Sequence, residues 1–142
     1  MEIRRLRAAE WVILMSLNFA TLREANVRRC EAVFHPLHTW TLTDWATAAA
    51  GELGEACNVI KKMRRHESSH NDPARNIDPS SHEGKRALGC EIADTVIYLD
   101  LLAARAGINL ADAIIEKFNL VSMRAGSPIL LAARTEGRDA KR

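Results

Sequence analysis

Two pairs of acids stand out among the residues able to do chemistry. Glu52 with Glu55, and Glu91 with Asp94, are each spaced i, i+3. On a helix that spacing puts both carboxylates on one face. Around the first pair Trp45, Ala48, Ala49, Ala56, Val59 and Met63 recur at three- and four-residue steps, so Glu52 and Glu55 lie inside an apolar stripe. Burying carboxylates side by side costs several kcal/mol unless something cationic meets them. The second pair belongs to residues 88–104, where Ile92, Ala93, Val96, Ile97, Leu99, Leu101 and Leu102 predict a helix buried nearly all round. Asp94 is thereby expected among apolar neighbours that disfavour an unpaired charge. Two helices carrying facing acid pairs make an all-oxygen nest of four carboxylates, which suits a hard divalent cation. Magnesium is the expected ion, with manganese as a substitute.

Other metals fit less well. Di-iron bundles use Glu-x-x-His on paired helices, and neither acid-bearing segment carries a histidine at that place. His66, His70 and His82 fall in a polar stretch and read as solvated side chains rather than zinc ligands. The acids are followed by the basic run Lys61, Lys62, Met63, Arg64 and Arg65, whose charges also suit the C-terminal end of a helix. Lys61 or Lys62, two turns past Glu55, can reach an anion bridged by the metal, and Lys117, Asn119 and Arg124 offer a second polar group. Acids that hold magnesium beside lysines and arginines are what a polyphosphate requires, since metal and cations together neutralise its oxygens.

Four helices are predicted to position these groups. The first covers residues 18–34, with Leu17, Leu22, Ala25, Cys30 and Val33 on one side and arginines largely on the other. Pro36 ends it. Thr41 or Thr43 caps the second, with Asp44 near its positive end, and this helix runs to about Arg65. Residues 66–82 form a long polar loop, a lid over the carboxylates in its functional reading. Ser80 with Glu83 has capping-box spacing for the third helix, which ends before Gly107. Asn109 caps the fourth, whose expected buried side is Leu110, Ala113, Ile114, Phe118 and Val121, and Gly126 closes it. Beyond Pro128 an apolar run is placed to pack back or to meet another subunit. No segment reads as a strand.

The fold class is therefore all-α: a four-helix bundle of one domain, with residues 1–17 an N-terminal extension, 18–130 the helical domain and 131–142 a tail. With 142 residues the chain is long enough for one core. A 47% hydrophobic and 27% charged composition argues against disorder, and a net charge of +2 does not mark a nucleic-acid binder. Three widely spaced cysteines fit neither a disulfide framework nor a zinc site and point to a reducing, cytoplasmic setting. The apolar run from Trp11 to Leu17 is short for a secretory signal, and no stretch approaches the roughly 20 apolar residues of a membrane span.

The order Glu52-x-x-Glu55, then Glu91-x-x-Asp94, resembles the MazG-like, all-α nucleoside triphosphate pyrophosphohydrolases. The residues around it strengthen the likeness: Trp45, the run Ala50-Gly51-Glu52-Leu53-Gly54-Glu55-Ala56-Cys57-Asn58, then Ile60-Lys61-Lys62, and Lys117-Phe118-Asn119 followed by Ser122, Arg124 and Gly126-Ser127-Pro128. The match covers about residues 41–130 and looks like the family's small single-domain members. It implies a bundle completed by dimerisation or tetramerisation, and magnesium-dependent cleavage of a nucleotide between its α and β phosphates, for cleansing or regulating nucleotide pools. Glu52, Glu55, Glu91 and Asp94 would hold the metal, one of them activating water. Lys61 or Lys62, Lys117 and Arg124 would contact phosphates, and Asn58 and Asn119 sugar or phosphate. Trp45 is a core residue first and a base-stacking surface second. Asp100 reads as a buried hydrogen-bonding acid. Residues 1–17 have no counterpart in that family.

Two other classes compete. A non-catalytic helical oligomer, retaining the metal site as a regulatory or interaction protein, is opposed by the complete set of acids, because a scaffold gains stability by losing buried charge. A nucleic-acid-binding module using residues 61–65 and 23–29 is opposed by the low net charge and few aromatics.

Overall fold

The computed structural model describes residues 17–68 and 76–133. Helix α1, Phe19–Arg29, begins at a capping box in which Asn18 accepts from the Thr21 amide and Thr21 accepts from that of Asn18, and it runs on into a π-helical turn, Cys30–Phe34. His35 N–H bonds to the Cys30 carbonyl at 3.0 Å, the wider i to i+5 closure of such a turn. After Pro36 a short 3₁₀ turn, Leu37–Thr39, leads to α2, Leu42–Glu67. Of the two threonines predicted as caps, Thr41 is the one used: it accepts from the Asp44 amide, and Asp44 accepts in return from the Thr41 amide at 2.8 Å.

Helix α3, His82–Arg105, is capped by Ser81, not through the Ser80–Glu83 box expected from the sequence. The Ser80 hydroxyl is drawn instead to the Asp78 carboxylate at 2.7 Å. Gly84 lies under this turn, where an added Cβ would run into the Asp78 carbonyl and touch Ile77. A left-handed Gly107 (φ 70°) ends α3, and Asn109 caps α4, Leu110–Arg124, which closes at Gly126 (φ 69°). The described residues are helical with no strand, and no helix among them is long and apolar enough to cross a membrane.

The most extensive packing is between α2 and α3. They run antiparallel, since Trp45 stacks near Tyr98 while Glu52, further along α2, lies beside Glu91 and Asp94, earlier on α3. α1 crosses α3 through Arg23 and Asn26, which reach Asp100 and the Ile97 carbonyl. The central cluster is Cys30, Trp45 and Leu101, with Val27, Leu37, Trp40, Tyr98 and Leu102 against it. All three cysteines are free; burial first, and the Glu31 charge second, raises the Cys30 thiol above its ordinary value.

Two burial expectations fail. α3 is not buried all round: Ile92 is 51% exposed, with Val96 and Leu99 exposed on the same side. The three recur at four- and three-residue steps, one face of the helix turned away from α2 and left uncovered by the described residues. Likewise Leu110, Ala113 and Ile114 of α4 are half-buried, but Phe118 and Val121 are exposed. α4 leans chiefly on α1, and among the described residues its packing leaves the C-terminal part of its apolar stripe uncovered. Of the two expectations for the segment after Pro128, packing back on the chain is the one seen: Leu131 is hydrogen-bonded to Asn119 of α4. The predicted extension falls outside the described residues except for Leu17. The middle of the predicted lid, residues 69–75, also lies outside them, as does the tail beyond residue 133.

Candidate metal and nucleotide site

The α2–α3 interface explains why these acids meet. Glu52 is on the α2 face that also presents Trp45, Ala56, Val59 and Met63 to α3, and Glu91 and Asp94 are on the α3 surface opposite. One oxygen from each of Glu52, Glu91 and Asp94 lies within 4.8 Å of the others. Glu52 and Glu91 are half-buried and Asp94 is exposed. The expected burial of Asp94 among apolar side chains is thus not found: Ile92, Ala93 and Val96 point to the open side of α3. Its proximity to the other acids is found.

Glu55 is not in the group of three. Three residues along a helix is a rotation of about 300°, which carries it some 60° off the line of Glu52, toward solvent. It stays near enough to be felt. The Glu52 carboxyl is held above the usual carboxylate range, first by desolvation and then by the charges of Asp94, Glu91 and Glu55. Converging anions with no cation among them are a poor arrangement on their own, and a divalent cation would relieve it. Three carboxylates at this separation, with no nitrogen or sulfur donor in the group, fit a hard ion such as magnesium.

A cavity of about 380 Å³ opens beside the acids, with Asp94 in its lining. Its wall is aromatic. His35, Trp40 and Trp45 form a triangle of mutually touching rings, with centroids 4.7 Å (His35–Trp40), 4.6 Å (Trp40–Trp45) and 5.5 Å (His35–Trp45) apart, and Tyr98 closes on Trp45 at 6.2 Å. Trp45 is only 2% exposed, and its indole N–H donates to the Leu37 carbonyl at 3.2 Å, so its ring is core that also forms the cavity's back. Arg29 and Tyr98 line the same cavity as Asp94. His35, Trp40, Tyr98 and Arg29 were not singled out from the sequence. The available signal was Tyr98 one helical turn beyond Asp94, together with the tryptophans that flank the α2 cap.

No family model, curated protein or solved structure matches the chain.

The remaining sequence candidates separate. Lys62 follows Glu55 by seven residues and returns to within about 20° of its face, whereas Lys61 follows Glu52 by nine, about half a turn away. Lys61 Nζ instead donates to Asn58 Oδ1 at 2.9 Å, so these two side chains hold one another. Lys117 and Arg124 are exposed on α4, and among the described residues neither is hydrogen-bonded or ion-paired to the acids. Asn119 is committed elsewhere: its amide nitrogen donates to the Leu131 carbonyl at 2.9 Å and its oxygen accepts from the Leu131 amide at 2.7 Å. It is a strut for the returning tail rather than a free nucleotide ligand. Asp100, as expected, is a buried hydrogen-bonding acid, 1% exposed and bound by Arg23 and Asn26.

Proposed function

We propose that the protein is a magnesium-dependent nucleoside triphosphate pyrophosphohydrolase of the MazG-like kind, adding water across the α–β anhydride to release a nucleoside monophosphate and pyrophosphate. The observation that carries this reading is the meeting of Glu52, Glu91 and Asp94 at the edge of an aromatic cavity. A metal-binding acid group with a flat, π-rich pocket beside it matches the two ends of a nucleotide, charged phosphates and a stackable base.

Glu52, Glu91 and Asp94 would hold the ion. When bound, magnesium supplies neutralisation of phosphate oxygens and acidification of water at neutral pH. Glu55, outside the ligand group and solvent-facing, is placed to accept a proton from the attacking water and to orient it. Lys62, on the same side of α2, meets the phosphate tail. The base lies against the aromatic wall of the cavity, where His35, Trp40 and Tyr98 exclude water from one face of it. Asn58 and Lys61 stabilise one another and touch the substrate only at the margin.

Self-association belongs to the same reading. Ile92, Val96 and Leu99 on α3, Leu53 and Ile60 on α2, and Phe118 and Val121 on α4 are exposed apolar side chains on three helices. A second copy would cover them, giving a homodimer or homotetramer. The same faces also suit the non-catalytic helical oligomer, so turnover decides between the two.

The test is pyrophosphate release from a panel of ribo- and deoxyribonucleoside triphosphates, with and without magnesium, with the second product identified. Magnesium-dependent monophosphate and pyrophosphate are expected. Magnesium binding with no turnover across the panel would overturn the enzyme in favour of the oligomeric regulator.

A further inference from the structure

A line of hydrogen bonds runs from the protein interior to the mouth of the aromatic cavity. It starts at the buried Asp100, whose Oδ1 accepts from Arg23 Nε at 2.8 Å and whose Oδ2 accepts from Asn26 Nδ2 at 3.1 Å. Asn26 is itself 3% exposed, and the same nitrogen donates to the Ile97 carbonyl at 2.9 Å. Its remaining polar atom, Oδ1, accepts from Arg29 NH2 at 3.2 Å. The Arg29 guanidinium carbon lies 6.0 Å from the centre of the Phe34 ring. So Arg29 is held on one side by a buried amide and on another by an aromatic face.

We propose that Arg29 is a phosphate-contacting residue of the nucleotide site, held ready by Asn26. The assignment rests on the nucleotide reading above. Among the described residues Arg29 is the only arginine or lysine lining the cavity, and Asp94 lines the same cavity. No carboxylate among the described residues lies within ion-pairing distance of it, in contrast to Arg23, Arg28 and Arg64, which all have one. A guanidinium with one donor engaged keeps four more N–H groups in a planar fork, the geometry that phosphate oxygens match in pairs. The buried amide also limits the rotamers that binding must freeze, which raises affinity without adding a contact. Charge balance gives the purpose. The acids at the cavity and an incoming polyphosphate are all anionic, and a cation from α1 in the cavity lining offsets part of that charge.

The experiment compares wild type, Arg29→Ala and Arg29→Lys as full-length protein with magnesium. Calorimetry measures the binding of non-hydrolysable α,β-methylene nucleoside triphosphates, of the corresponding free nucleosides, and of manganese alone; kinetics gives KM and kcat for the preferred substrate. Arg29→Ala is expected to weaken the triphosphate analogue by about tenfold or more, as for loss of one charge-assisted contact. Nucleoside and manganese affinities should be unchanged, the loss should appear chiefly in KM, and Arg29→Lys should recover part of it. Equal binding of the analogue by wild type and Arg29→Ala overturns the assignment. Equal losses for analogue and nucleoside overturn it too, placing Arg29 at the base or in the cavity wall. Wild-type protein that binds no analogue overturns the nucleotide reading itself, and the assignment with it.

Discussion

Arg23 Nε donates to Asp100 Oδ1 at 2.8 Å, joining α1 to α3 through a pair whose acid is 1% exposed and whose base is 28% exposed. The same guanidinium donates from NH1 to the Ile108 carbonyl, so it also holds the turn between α3 and α4. Removing one partner of a buried pair leaves an uncompensated charge, while replacing both with apolar groups does not. Arg23→Ala is therefore expected to destabilise the fold by about 3 kcal/mol, near the lower end of that class because the arginine is partly solvated. The double change Arg23→Met with Asp100→Leu should recover most of the loss. Urea unfolding of the three proteins decides it.

The acids are expected to divide into two classes. Glu52→Gln or Asp94→Asn should lower magnesium affinity by about 10-fold or more and reduce turnover with it. Glu55→Gln should leave magnesium affinity nearly intact and cut kcat by about 100-fold or more, the scale of a lost general base. Calorimetry for the ion and steady-state rates for turnover separate them. If Glu55→Gln loses the metal as Glu52→Gln does, Glu55 is a fourth ligand.

Asn119→Ala tests whether this residue serves the tail or a nucleotide. Two hydrogen bonds to the Leu131 backbone would be lost, costing about 1–2 kcal/mol. Proteolysis in residues 127–133 should become faster while KM stays unchanged. A raised KM with no change in proteolysis would return Asn119 to the nucleotide.

At the start of α2 the expected pH dependence follows from Asp44. The Thr41 hydroxyl and then the Thr41 amide hold its carboxyl below the usual carboxylate value. The folded state therefore binds this proton less readily than the unfolded chain. Its stabilisation is complete above the ordinary aspartate value and is lost as pH falls through the lowered one. Asp44→Ala should flatten that part of the acid-unfolding curve, read by thermal melts across acidic pH, and leave the neutral-to-alkaline part unchanged in slope.

Single-chain reasoning reached most of the helix boundaries because they depend on neighbours in sequence. Thr41, Asn109, Gly107 and Gly126 end or begin helices through contacts with residues a few positions away. Ser81 displaced Ser80 as a cap since Asp78, two residues back, competes for the Ser80 hydroxyl, a local contest that spacing alone did not resolve.

What the sequence alone determined was the period of each helix and which residues share its faces, and hence that Glu52 and the Glu91–Asp94 pair could be presented to a neighbouring helix. That information is local, carried by 3.6 residues per turn. Only the tertiary structure decided how the helices are turned against one another. The α2–α3 packing brings Glu52, Glu91 and Asp94 together and leaves Glu55 to the side, while the uncovered face of α3 exposes Ile92, Val96 and Leu99. The packing also gathers Arg29, Trp40, Trp45 and Tyr98 around one cavity and closes Asn119 onto Leu131. These pairings join residues far apart in the chain, and depend on helix rotation and crossing, which no single helix's periodicity contains.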